Sequence, residues 1–308
     1  MSVKRVLSTF VAVLVLAPLA ACGADDGQGG AAGSGGAVAS GGTAGSNSGG
    51  AAGTASGGVA GTAGGSGGAG AAGGAAGATG IGGSAGAGAL VILGDSIGDG
   101  GGVGPFYYDL LKQDLGNKYG SISYQHAAQS GSKTSALKSQ ISGLPKTLPG
   151  PVAVCITSGG NDMKDQLLAI VSGLDGAALA QMGANISEAL SILLQPGRFG
   201  VGVDVHVFEA NIYDASDGQG NFAANNCAFG KGFPALPTDG YFTKWNGEIA
   251  TQVSAKGQWL MDNHDLFRPH GFNNPPNWYA SDCTHPNTMG HDQLRRYFYF
   301  KITGETLP

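Results

Sequence analysis

The run Ala89-Leu90-Val91-Ile92-Leu93-Gly94-Asp95-Ser96 decides the fold. Its unbroken apolar stretch, closed by Gly, Asp and Ser, reads as a buried parallel strand that stops at a turn. In an open parallel sheet, ligands bind just past the carboxyl ends of the strands. Ser96 stands one step beyond such an end, where chemistry is expected. A serine also follows an apolar strand in many inert turns, so the rest of the chain must carry the reading.

Downstream, strand-like runs recur at 120–125, 152–157, 201–208 and, more weakly, 265–268. Helix-like segments lie between them at 106–115, 133–142, 177–194, 240–262 and 287–302. The clearest is 177–194, where Leu179, Met182, Ile186, Leu190 and Leu193 are spaced by three and four residues. Alternation of strand and helix predicts a three-layer α/β/α sandwich with a parallel sheet, one domain over 89–308. Val201, Val203, Val205 and Val207 alternate strictly, which predicts a less buried face on that strand.

Upstream, Lys4 and Arg5 precede a mostly apolar 6–19 and the small Ala20-Ala21. This predicts a secretory signal over 1–21, whose apolar core is too short for a comfortable membrane span. Leu19-Ala20-Ala21-Cys22 resembles the lipobox of bacterial lipoproteins. That resemblance implies cleavage before Cys22, a lipid on its thiol and a membrane anchor. Gly23, in place of the Asp of inner-membrane retention, points to the outer membrane or cell surface. Residues 22–88 read as a lipidated cysteine followed by a Gly/Ala/Ser-rich linker. Positions 23–88 hold 29 of the 58 glycines and no aromatic residue, so they cannot bury a core. As a flexible coil they would span about 45 Å and give the next domain reach.

Lys and Arg number 16 against 21 Asp and Glu, a net charge of -5, without a basic cluster; nucleic acid is excluded as a partner. A monomer is expected. Cys155 lies in an apolar strand and reads as a buried free thiol. Cys227 and Cys283 fall in loop-like sequence, and export would permit a bridge between them.

Near the C-terminus stands Ser281-Asp282-Cys283-Thr284-His285-Pro286. One turn can bring the Asp282 carboxylate to one ring nitrogen of His285 and leave the other as a base. If that nitrogen reaches Ser96, its hydroxyl becomes a competent nucleophile. Acyl transfer also needs oxyanion donors. Asn161, in Gly159-Gly160-Asn161-Asp162, would project from the same sheet edge, and Gly131 permits close backbone approach. Each feature alone is an ordinary turn; four in order at successive strand ends are not.

The chain resembles the SGNH (GDSL) hydrolase family over essentially all of 89–308. Its blocks are matched by Gly94-Asp95-Ser96, by Gly131, by Gly159-Gly160-Asn161-Asp162 and by Asp282-Cys283-Thr284-His285. The resemblance implies a flavodoxin-like fold and esterase, lipase or thioesterase activity. It makes Ser96 the nucleophile, His285 the base and then acid, and Asp282 its partner. The N–H of Ser96, the N–H of Gly131 and the Asn161 side chain would form the oxyanion hole. Two departures stand out: Ile97 follows the serine instead of Leu, and His126 replaces a frequent Asn near the second block. Gly94-Asp95-Ser96-Ile97-Gly98 also satisfies the nucleophile elbow of α/β-hydrolases. That fold needs strands before the elbow, and only linker precedes this one. Chymotrypsin-like enzymes carry Gly-Asp-Ser after their His and Asp, so order excludes them too.

The long 212–240 segment reads as a lid or pocket rim; its Asp214, Asp217 and Asn221 lack the full calcium-loop pattern, and no metal or cofactor is expected. Phe272, Trp278 and Tyr279 line a pocket or pack. Trp245 and Trp259, in a helical pattern, are core candidates. His206, His264, His270 and His291 have no motif partners. The expected function is an exported, lipid-anchored serine ester hydrolase. Carbohydrate O-acetyl esterase and thioesterase or lysophospholipase remain alternatives, and a non-catalytic surface-binding lipoprotein is the alternative of a different class.

Overall fold

The computed structural model describes residues 87–225, 227 and 235–308. The expected signal, Cys22 and the linker up to residue 86 lie outside the described residues. Five strands, β1 (Ala89–Gly94), β2 (Ser123–His126), β3 (Val152–Thr157), β4 (Val205–Ala210) and β5 (Trp259–Met261), form one sheet. All pairings are parallel, in the order β2-β1-β3-β4-β5. That is the flavodoxin-like order, with its switch point between β1 and β3.

The unbroken apolarity of β1 and β3 has a direct cause: every residue of both is buried. Successive side chains point to opposite faces. Ala89, Val91, Leu93, Val152, Val154 and Ile156 meet α2 (Leu137–Ser142), α5 (Gly176–Leu193) and α6 (Asp239–Ala255). Leu90, Ile92, Ala153 and Cys155 meet α1 (Tyr107–Tyr119) and α8 (Thr288–Thr303) on the other side. The chain is thus a three-layer α/β/α sandwich. Each buried Leu or Ile contributes about 1.5–3 kcal/mol by leaving water.

Two expected elements need correction. The fifth strand is Trp259–Met261, not 265–268, and the helix expected over 240–262 stops at Ala255. Gly257, at φ +62°, ends that helix, and the apolar spacing through Val253 and Leu260 hides the break. Residues 265–268 instead belong to α7 (Asn263–Phe267) and the 3₁₀ turn Arg268–His270. Asp262 caps α7 by accepting from the Asp265 N–H at 3.1 Å. Trp259 is accordingly a half-buried strand residue stacked on Phe208, not a helical core residue; Trp245 is fully buried. Val201 is fully exposed in a turn and β4 begins only at Val205, so the valine alternation marks the approach to the strand and not a solvated face.

Candidate active site

Ser96 follows a strand end that is unusually well held. Gly94 sits at φ +113°, and a Cβ there would fall 1.9 Å from the Thr157 carbonyl oxygen. Only glycine allows β1 to approach β3 this closely, and the Asp95 N–H donates to that oxygen at 2.7 Å. From α2, the buried Gln140 clasps Gly94: its Oε1 accepts from the Gly94 N–H and its Nε2 donates to the Gly94 carbonyl, each at 2.8 Å. Ser132 Oγ donates to the same carbonyl. The Asp95 carboxylate accepts from the Ile97 N–H at 3.0 Å and so shapes the turn that presents Ser96. Burial pushes the Asp95 carboxyl up to about 7 against the pull of that N–H.

Ser96 Oγ lies 2.7 Å from His285 Nε2, and His285 Nδ1 lies 2.6 Å from Asp282 Oδ2. With a carboxylate at Nδ1, that nitrogen carries the proton and Nε2 is left to accept from the serine hydroxyl. The other Asp282 oxygen accepts from the N–H groups of Thr284 and His285, each at 2.9 Å. Burial works to raise Asp282, but the His285 N–H and imidazole outweigh it and hold the carboxyl below its usual range.

The turn carrying His285 is built locally. The Ala280 N–H donates to the His285 carbonyl at 2.8 Å, and the Cys283 N–H to the Ala280 carbonyl at 3.0 Å. Tyr213 Oη donates to the Thr284 carbonyl at 2.8 Å. Cys283, at φ +58°, is joined to Cys227 by a disulfide with 5.5 Å between Cα atoms. Cys155 is a free thiol buried in β3, its pKa pushed up by burial.

Gly131 lies at φ +77° in the turn after β2. Among the described residues nothing accepts from the N–H of Gly131 or of Ser96. Asn161 lies in the first turn of α3 (Gly160–Asp165), and one of its amide hydrogens is donated to the Ser132 carbonyl at 2.9 Å. The other is uncommitted. Asp162 ties this helix to the second block by accepting from the Thr134 N–H and hydroxyl at 2.9 and 2.7 Å.

Several positions escaped the sequence reading. Gln140 stands in an unremarkable helical stretch and carried no signal. Asp162 stood inside a quoted motif without a role. His126, the departure near the second block, donates its Nε2–H to the Gly98 carbonyl and stacks on Tyr108. Trp278 and Tyr279 pack against Phe267, inside the second core cluster. In 212–240, the Asp214 carboxylate accepts from Ser216, Gly218 and Thr238, and Asp217 from Gly271 and Asn274; these groups hold turns together. A hollow of about 440 Å³ lined by Pro105, Leu110, Met289 and Arg295 includes none of Ser96, His285 or Asn161.

Comparison with known proteins agrees with this architecture. An acetyl xylan esterase from Geobacillus stearothermophilus, in a single-substitution variant, is similar at a TM-score of 0.50 and 18% identity, over 72% of this chain and 98% of its own. A lipase from a goat rumen metagenome is similar at a TM-score of 0.47 and 17% identity, over 69% and 96%. At such identities the likeness to the esterase concerns the fold. None of the curated proteins matches this sequence. The GDSL-like Lipase/Acylhydrolase family matches residues 92–293, from within β1 into α8. With that span covered, the chain belongs to the GDSL-like Lipase/Acylhydrolase family and is a carboxylic ester hydrolase.

Proposed function

We propose that this esterase works through an acyl-enzyme on Ser96, and that it does so as an exported protein on a lipid tether at the outer membrane or cell surface. The observation that carries the mechanism is the continuous relay from Asp282 through His285 to Ser96, at 2.6 and 2.7 Å. Ser96 gives its proton to His285 Nε2 as Oγ bonds to the ester carbonyl carbon. The carbonyl oxygen takes the negative charge. The N–H of Ser96, the N–H of Gly131 and the free Asn161 amide hydrogen are the donors available to it. His285 then protonates the leaving alcohol oxygen as the carbon–oxygen bond breaks. Water repeats the sequence on the acyl-enzyme, releasing the acid and returning the proton to Ser96.

Export rests on the sequence: the basic start, the short apolar stretch and Leu19-Ala20-Ala21-Cys22. The Cys227–Cys283 disulfide supports an oxidising compartment. Cys22→Ser should move the protein from the detergent phase to the aqueous phase in detergent partitioning, or block its maturation. Unchanged partitioning rejects the anchor.

The catalytic reading is tested with a fluorophosphonate probe on the full mature chain. Ser96 should be labelled, and Ser96→Ala should abolish both labelling and hydrolysis of p-nitrophenyl acetate. Label on another residue overturns the mechanism. A p-nitrophenyl ester series from acetate to palmitate then assigns the acyl length. Activity confined to acetate, together with release of acetate from acetylated polysaccharide, would favour the carbohydrate O-acetyl esterase reading.

A further inference from the structure

The glycine-rich segment 98–102 links the nucleophile to the base. Gly101 donates its N–H to the Ser96 carbonyl at 2.7 Å. A Cβ on Gly101 would fall 2.4 Å from His285 Cδ2 and 2.9 Å from Nε2, so only bare backbone fits beside the imidazole. Gly102 is as tight: at φ +103°, its Cβ would meet the Pro286 carbonyl oxygen at 2.0 Å. Asp282 is half-exposed, so the Asp282–His285 bond lies toward water.

The side chain that holds the Gly101 carbonyl of this loop is His291. It is fully buried in the first turns of α8, beside the rings of Phe106 and Tyr107, and its Nε2 lies 3.0 Å from the Gly101 carbonyl. A carbonyl can only accept, so Nε2 carries the hydrogen and Nδ1 is bare. Nδ1 is also buried without a partner. An aromatic pocket of this kind would suit Phe at no polar cost; the one thing imidazole adds is the N–H on Gly101. Burial pulls the His291 pKa down to about 4, with the Gly101 carbonyl opposing and the charge of His285 assisting, so the bond is made by a neutral ring. A second clamp, from the Val103 N–H to the Pro286 carbonyl at 3.1 Å, joins the same two segments.

We propose that His291 is a positioning residue of this esterase: by holding the Gly101 carbonyl it presses the glycine loop onto the His285 imidazole and keeps Nε2 aimed at Ser96 Oγ. The proposal rests on His285 being the base. A ring free to swing by about 1 Å loses on the order of 10²-fold in rate.

The test compares His291→Phe, which keeps the ring and loses the donor, with His291→Gln, whose amide can donate from the same distance. Each is measured in the full mature chain for kcat and KM on p-nitrophenyl acetate, for the rate of fluorophosphonate labelling and for melting temperature. His291→Phe should lower kcat and labelling rate by roughly 10–100-fold with KM little changed, and His291→Gln should recover most of the loss. In a His285→Ala background the Phe substitution should cost nothing further, because its effect passes through the missing ring. Normal kcat in folded His291→Phe overturns the proposal. So does an equal fold loss with and without His285. If His291→Phe does not fold, His291→Leu, which also lacks the donor, replaces it in the same cycle under the same criteria. Full activity in His285→Ala itself would instead show that the base assignment had failed, and the positioning role with it.

Discussion

Ser96 and His285 meet across 189 residues of sequence, and they are held in opposite ways. Ser96 hangs from the end of a fully buried central strand, with Gly94 clasped by Gln140 and seated against Thr157. His285 rides on a partly exposed turn held by short-range hydrogen bonds, one disulfide and the glycine loop. Ser96 borrows the rigidity of the sheet, so a change there strikes the fold first. His285 depends on a few polar and covalent ties, so a change there strikes rate first.

The sharpest way to break that contrast is to damage each side once. Gly94→Ala puts a methyl into the Thr157 carbonyl at a left-handed backbone position, and folded protein should be lost. His285→Ala should leave a cooperative melting transition near that of the parent, yet lower kcat by roughly 10⁴-fold or more. Folded, merely slow Gly94→Ala, or unfolded His285→Ala, would reverse the assignment of roles.

Asn161→Ala stands between the two regions. Loss of one oxyanion donor should cost about 10²–10³ in kcat with little change in KM. The amide also holds the Ser132 carbonyl, so some loss of melting temperature is expected too. A lowered melting temperature with normal kcat would make Asn161 purely structural.

The disulfide sharpens the reading of the turn. An unreduced digest should yield the Cys227 and Cys283 peptides linked and Cys155 free. Cys227→Ser should destabilise the protein by about 2–4 kcal/mol and slow turnover several-fold, because Cys283 lies between Asp282 and His285. Unchanged turnover would show that the local hydrogen bonds hold His285 without it.

The smallest effect tests the sheet itself. Glu209, on β4, is fully buried with neither carboxyl oxygen hydrogen-bonded, and burial, then the Asp95 charge, raises its pKa well above the usual range. A folded-state pKa above the unfolded one means the folded protein keeps a proton that the unfolded chain has released. Stability therefore falls as pH rises above about 4, and the Asp95 contribution to that fall ends near 7. Glu209→Met should raise the melting temperature, and the gain should be larger at pH 8 than at pH 4. An equal gain at both values would mean that folding does not raise the Glu209 pKa.

Much of this molecule was legible in its sequence, for physical reasons that differ by element. The run at 89–96 declares a strand because burial on both faces demands unbroken apolarity, and 177–194 declares a helix because a one-sided helix demands a period near 3.6. The turn residues of the four blocks are readable because left-handed backbone and close approach select Gly and Asn. The fifth strand was misplaced because three residues carry no period and Gly257 interrupts a pattern that otherwise continues.

The sequence by itself therefore determined the alternation of strand and helix, the parallel sheet and the family blocks that bring Ser96, Gly131, Asn161, Asp282 and His285 into consideration, since these follow from local burial and turn chemistry. Only the tertiary structure decided that Gln140 reaches Gly94 across 46 residues and that His291 reaches Gly101 across 190. Such contacts leave no local mark, because a glutamine in a helix or a histidine in a first turn has the same propensity whatever it meets. What it meets is set by how the helices settle on the two faces of the sheet, and it is there that the surroundings of Ser96 and His285 are decided.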